Sequence, residues 1–230
     1  MLDRYVFIAK ASMFGNSRLV TGSQLAPHQQ LISNLRKHQL HAFLKPVQPP
    51  DGADDLLEFA RALPLHLDAG CGTGESASEI SRLNPETNVL AIDRSWKRLN
   101  AHQLVPPAGS ARNGNVCIMH GDSIAVARWL LSKGLRIRKL WLLYPNPWPK
   151  IDQLKRRWHG HAAFPEIVDG VDQIELRTNW GIYAEEMHAC LEAMARRVCL
   201  TTLHAEQPLS RFEAKYAASG HTLFQVRAER

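Results

Sequence analysis

The chain has 230 residues, 45% hydrophobic and 22% charged, with 28 Lys plus Arg against 22 Asp plus Glu for a formal charge of +6. That length suits one generous domain with a sizeable core, and the composition excludes a disordered chain or a small disulfide-stapled scaffold. The longest apolar stretches, such as Leu140 to Leu143, fall far short of the roughly 20 residues of a membrane span, so nothing is expected to cross a bilayer.

At the amino terminus, Asp3, Arg4 and Lys10 bracket only Tyr5 to Ala9, without the longer apolar core of a secretory signal, and a cytoplasmic location is expected. From Arg4 to Pro50 there is no acidic residue, while Arg4, Lys10, Arg18, Arg36, Lys37 and Lys45 are all present. The cluster Gln48-Pro49-Pro50-Asp51-Gly52 reads as a breaker. Residues 1–55 are therefore expected to form a basic extension and residues 56–230 the main domain.

Beyond it, short apolar runs alternate with helical patterns, the signature of βα units in a mostly parallel sheet. Strands are predicted at Leu65 to Ala69, Asn88 to Ile92, Val116 to His120, Lys139 to Leu143, Gln173 to Arg177, Val198 to Leu203 and Thr222 to Arg227. Helices are predicted at Glu75 to Leu83, Ser95 to Gln103, Ser123 to Lys133, Ala162 to Val168 and Tyr183 to Arg196. The four cysteines, 71, 117, 190 and 199, form no CxxC pair and read as reduced thiols, mostly small buried apolar residues.

Chemistry is concentrated where predicted strands end. Leu67-Asp68-Ala69-Gly70-Cys71-Gly72-Thr73-Gly74 runs from strand through glycines into helix. A dinucleotide fingerprint needs G-x-G-x-x-G with the helix terminus on a pyrophosphate; here the third glycine comes one residue early. An acid just before the glycines suits a ligand with an ammonium group and no phosphate, which is the chemistry of S-adenosylmethionine. Asp93, ending the next strand, stands where an acid accepts ribose hydroxyls, and Asp122 follows the third strand, where a loop flanks the adenine. Each Asp alone reads first as a helix N-cap; the three in register favour a ligand pocket.

After the fourth strand, Tyr144-Pro145-Asn146-Pro147-Trp148-Pro149-Lys150 reads as a rigid shelf on the same edge, suited to positioning for an in-line displacement. Lys150, Lys155, Arg156, Arg157, His159 and His161 follow, with Trp158 among them. Cations with an interleaved aromatic suit phosphate contact and base stacking, so RNA is a credible partner.

Together these motifs resemble the bacterial tRNA (guanine-N7)-methyltransferase family. The resemblance covers roughly residues 60–228 and rests on Asp68 to Gly74, Asn84-Pro85-Glu86, Ala91-Ile92-Asp93 and Pro145 to Lys150 with the basic run. Thr178-Asn179-Trp180 leading to Tyr183-Ala184-Glu185, and Ser210 to Lys215, complete it. It implies a class I, Rossmann-like α/β fold with a mostly parallel seven-stranded sheet and helices on both faces. It further implies S-adenosylmethionine as cofactor, held by Asp68, Gly70, Gly72, Asp93, Asp122 and Asn146, with Asn146 also the catalytic position. Lys150, Asn179, Ser210, Arg211, Phe212 and Glu213 would place the target base, and Lys155, Arg156 and Arg157 would grip the RNA. The implied activity is methylation of N7 of the guanine at tRNA position 46, by a monomer or homodimer.

Two departures stand out: the family usually carries aspartate at the positions of Asn146 and Asn179. A shorter acid at Asp68 and Asp93, where many members have glutamate, is a milder change. The paired losses of charge keep open a paralogue that methylates another RNA base or a small molecule, and a tRNA-binding protein without turnover.

Overall fold

The computed structural model describes residues 44–102, 110–204 and 206–230; the basic segment 1–43, with most of the expected extension, lies outside the described residues. Strand β1 (Leu65–Ala69) and strand β2 (Asn88–Asp93) are buried at every position, as central strands covered on both faces are. Strands β3 (Ser110–Asn113), β4 (Val116–His120), β5 (Ile137–Leu143), β6 (Val171–Thr178), β7 (Arg197–Leu203) and β8 (Leu223–Glu229) complete one sheet in the order β3-β4-β2-β1-β5-β6-β8-β7. The run from β4 to β6 is parallel, while β3, β8 and the β7–β8 pair are antiparallel.

Among the described residues the sheet thus has eight strands where seven are expected. The additional edge strand, β3, arises from a two-residue turn at Gly114-Asn115, with Gly114 at φ 59°, folding residues 110–113 back onto β4. The reversal of strand order between β1 and β5 leaves a crevice at their carboxyl ends, the usual place for a ligand in an open α/β sheet.

Alternation along the strands divides the core between the two faces. One face packs against helices α1 (Ala53–Ala62), α4 (Ser123–Ser132), α5 (Phe164–Gly170) and α6 (Gly181–Ala193) through Phe59, Leu130, Phe164, Ile167 and Met187. The other packs against α2 (Glu75–Leu83) and the short α3 (Trp96–Leu99) through Ala77, Ile80 and Leu99. Helix α1 begins before the expected boundary at residue 55 and supplies Leu56, Phe59 and Ala60 to the core, while Leu44 and Val47 pack against it. The domain therefore includes residues assigned to the extension. The helix expected from Ser95 is broken into α3 and a 3-10 turn at Asn100–His102, and Gln103 lies outside the described residues. The last helix, α7 (Arg211–Ala218), buries only Glu213.

Between β5 and α5 the chain makes two 3-10 turns, Ile151–Arg156 and Trp158–Gly160. They pack so closely that a Cβ on Gly160 would lie 2.2 Å from the Leu154 carbonyl oxygen. Because the obstacle is backbone, Gly160→Ala is expected to lower stability by about 1–3 kcal/mol, the usual range for overpacking, seen as a lower urea midpoint at an unchanged slope.

Candidate active site

Parallel pairing brings the ends of β1, β2, β4, β5 and β6 to one edge of the sheet, so Asp68, Asp93, Asp122, the loop from Tyr144 and Asn179 all gather there. The glycine loop is pinned to β2: the Gly70 and Cys71 N–H groups both donate to the Ile92 carbonyl, at 2.8 and 3.1 Å. Gly70 and Gly72 have φ of 89° and 62°, and a Cβ at either would meet nothing within 4 Å. Glycine is needed there for backbone conformation, and the loop faces open space that a ligand can enter.

The two acids at this loop differ in how fully they are satisfied. Asp93 accepts from Gly72 N–H at 2.9 Å and Ser95 N–H at 2.7 Å, and pairs with Arg98 at 2.9 Å. Asp68 is 1% exposed and accepts from Ser76 Oγ–H through Oδ2 at 2.5 Å. Its Oδ1 is buried without a hydrogen-bond partner. Burial pushes the Asp68 carboxyl up to about 7, with the Ser76 hydroxyl opposing and the Asp93 charge adding to the rise. A buried acceptor with no donor beside an open loop is a site for a cationic donor group.

Asp122 is placed differently. Its Oδ1 accepts from Ile124 N–H at 2.9 Å, capping α4, and its carboxylate pairs with Arg94. Its first role is the N-cap; any ligand contact would fall to its remaining exposed surface.

On the acceptor side, Tyr144 and Trp148 hold φ of 51° and 44°, a left-handed conformation that is strained for bulky residues. Asn146 is exposed, and its Oδ1 accepts weakly from Trp148 N–H at 3.4 Å. The Tyr144 ring lies 5.6 Å from Tyr216, which stacks on Phe212, so α7 joins the strand-tip edge through aromatic contacts. Phe212 is 49% exposed. Asn179 is half-buried, next to the exposed Trp180. Lys150, Lys155 and Arg156 are exposed, the last over the Trp148 ring at 4.8 Å.

Four residues expected to touch substrate are committed elsewhere. Arg157 is 3% exposed and donates to the Pro147 and Trp148 carbonyls at 2.8 and 3.1 Å while pairing with Glu186; it cannot also grip a phosphate at the surface. Glu213 is fully buried, accepting from Arg177 at 2.8 Å. Ser210 Oγ accepts from Glu213 N–H at 3.2 Å, so Ser210 to Glu213 opens α7 as a capping motif. Arg211 pairs with Glu75 of α2, bridging the two helices. Glu213 Oε2 and the Tyr144 hydroxyl are both buried without a hydrogen bond, and burial together with the Glu213 charge pushes the Tyr144 phenol up.

Sequence reasoning missed Ser76, Arg98, Arg177 and Glu186, the residues that hold these groups. Ser76 carried a local signal, since a hydroxyl at the start of the helix after the glycines can reach back to the preceding strand. Arg177 and Glu186 carried none. A groove of about 380 Å³ opens on the sheet face among Leu83, Lys139, Trp141, Glu175, Arg177 and Arg227, and none of the strand-tip acids borders it.

The switch-point crevice, the glycine loop and the buried acid define a class I methyltransferase, and the open loop with its orphaned carboxylate fits S-adenosylmethionine as cofactor. Residues 62–226 match the family model described as "Putative methyltransferase". Relatives include the tRNA (guanine-N(7)-)-methyltransferase of Alkalilimnicola ehrlichii, 30% identical with 78% of each chain covered, and that of Nocardioides sp., 29% identical over 72% of this chain and 67% of the relative. Among solved structures, an antibiotic-related methyltransferase aligns with a TM-score of 0.54 at 17% identity, covering 82% of this chain and 96% of the other. A tryptophan-to-alanine mutant of the 16S rRNA (adenine(1408)-N(1))-methyltransferase from Catenulisporales acidiphilia, solved with its cosubstrate SAM, gives 0.52 at 17%, covering 81% and 93%. At these identities the likeness is one of fold. This chain belongs to the tRNA (guanine-N7)-methyltransferase family.

Because the Asp68 carboxyl is raised above its unfolded value, the folded state without ligand binds more protons than the unfolded state between about pH 4 and 7. Stability is therefore expected to fall as pH rises through that window, and Asp68→Asn to flatten the fall, as read from urea midpoints at a series of pH values.

Proposed function

We propose that this protein transfers a methyl group from S-adenosylmethionine to N7 of a guanine in tRNA, at position 46 of the variable loop. The observation that carries the reading is the unpartnered Asp68 Oδ1 at the crevice, on the same edge as an exposed, conformationally strained loop flanked by cations. When bound, S-adenosylmethionine supplies an electrophilic methyl on a positively charged sulfonium.

Asp68 would accept a hydrogen bond from the ammonium of the methionine part, with Gly70 and Gly72 shaping the loop around it, and Asp93 and Asp122 would hold the nucleoside part. Guanine N7 carries a lone pair and no proton, so no general base is required. What remains is orientation and charge: the chain must hold N7 in line with the methyl and tolerate a cationic product. Asn146 and Asn179 each offer an amide oxygen to the N1–H or exocyclic amine of guanine, Phe212 offers an exposed ring beside them, and Lys150, Lys155 and Arg156 meet phosphates. The part of Ser210, Arg211 and Glu213 is to fix α7 beside this edge.

No helix among the described residues is long and apolar enough to cross a membrane, which suits an enzyme that meets tRNA in the cytoplasm, as a monomer or homodimer. A second reading has a specific observation behind it. Asn at both acceptor positions also fits methylation of another RNA base or a small molecule, or tRNA binding without turnover.

The experiment is methylation of unmodified tRNA with labelled donor, with nucleoside analysis of the product. Wild type is expected to form 7-methylguanosine at position 46, and Asn146→Asp to raise kcat by about tenfold through better stabilisation of the developing positive charge. Donor binding by calorimetry without any methylated guanine would reject the reading. A different methylated nucleoside would establish the second.

A further inference from the structure

The shelf after β5 is short of regular structure, yet two of its bulky residues sit in the left-handed region, and such backbone persists only where surroundings impose it. We propose that Arg157 is the positioning residue that imposes it at Trp148, clamping the acceptor loop to α6 through Glu186. The proposal rests on the reading above only in taking this loop as the place where the acceptor base docks.

The clamp is built from buried parts. Arg157 spends its planar fork on three acceptors: Nε–H donates to Pro147 O at 2.8 Å, Nη2 to Trp148 O at 3.1 Å, and Nη1 pairs with Glu186. The two carbonyls are those of Pro147, the residue after Asn146, and of the strained Trp148, so the guanidinium fixes the loop's path next to the acceptor position. Glu186 is 1% exposed and also meets His159 Nε2 at 2.8 Å. Burial alone would raise the Glu186 carboxyl, but His159 and Arg157 hold it below the usual carboxylate range.

The platform beneath is equally fixed. The His159 ring meets Tyr183 edge-on at 4.9 Å, and the Tyr183 hydroxyl accepts from Trp158 N–H at 3.1 Å. Arg157 itself lies over the Tyr183 ring at 5.5 Å. Thus α6 holds both the 3-10 turns and, through one arginine, the loop 144–150. Lysine cannot reproduce this, having a single rotatable ammonium in place of a rigid fork. The adjacent Lys155 and Arg156 remain exposed, so one basic run divides into a surface part that can meet RNA and a buried part that shapes the loop.

Arg157→Lys and Glu186→Gln test this by thermal melting, hydrogen–deuterium exchange and steady-state methylation of tRNA. The expected result is a folded protein in which exchange across residues 144–150 is faster by about tenfold, while residues 65–74 are unchanged. With it, kcat falls about 100-fold and KM for tRNA stays within about threefold. Exchange at 144–150 as slow as in wild type overturns the proposal. So does a raised KM with intact kcat, the signature of a phosphate contact. If only Arg157→Lys fails to fold, Glu186→Gln decides by the same readouts; loss of the fold in both overturns the proposal by making the pair a stability element. If wild type methylates no tRNA, the exchange measurement still judges the clamp, and the functional reading alone falls.

Discussion

A carboxylate taken out of water must find donors or become neutral, and the two acids at the tips of β1 and β2 answer that demand in opposite ways. Asp93 is surrounded by donors from the Gly72 and Ser95 backbones and from Arg98. Its negative charge is thereby used up inside the protein, where it sets the path of the glycine loop and the start of α3. Asp68, one strand over, keeps a single hydroxyl partner and a buried oxygen with none. The same residue type therefore does two jobs, one building the pocket wall and the other presenting an unpartnered acceptor within it, and environment alone separates them.

The acceptor half follows a complementary logic. Its carboxylates lie under the surface and are neutralised by arginines: Glu213 by Arg177, which also reaches Glu175 at 2.8 Å, and Glu186 by Arg157. Buried pairs of this kind add little net stability compared with apolar packing, but breaking one strands a charge and costs about 3–5 kcal/mol. Their value here is geometric. Each ties a peripheral segment, helix α7 in one case and the loop after β5 in the other, to a strand or helix packed at the core.

Most of the sheet was legible in the sequence because parallel, doubly covered strands are short apolar runs with little ambiguity: Leu65 to Ala69 and Val116 to His120 have the bounds expected. Helix α1 was hidden because the breaker at Pro49 to Gly52 masks a start only a few residues later. Helix α7 carries almost no apolar stripe, burying a glutamate where a leucine would have announced it. The edge strand β3 has an exposed, polar pattern, and its one local signal was the turn dipeptide Gly114-Asn115, with Gly at the first position. At the site, the strand-tip acids were visible as types and positions, but partners such as Arg157 and Glu186 are far apart in the chain. Nothing in Lys155-Arg156-Arg157 distinguishes the member that points inward; that is fixed by the 3-10 turn ending at Arg156 and by a carboxylate on α6.

Asn146 and Asn179 acquire their meaning against this background. If the acceptor edge had retained a free carboxylate nearby, losing one side-chain charge would matter little to a cation forming on the base. The buried glutamates of that edge cannot substitute, since Arg177 and Arg157 already cancel them and their low-dielectric surroundings oppose any rearrangement. The strand-tip acids, Asp68 above all, lie on the side of the crevice where the proposed donor, itself cationic, would sit. On the proposed reading, rate on this chain comes less from stabilising charge than from holding N7 in line, which places the demand on the rigidity of the loop carrying Asn146. A strained loop held by a buried guanidinium is the kind of structure that meets such a demand, because its conformation is fixed before the substrate arrives.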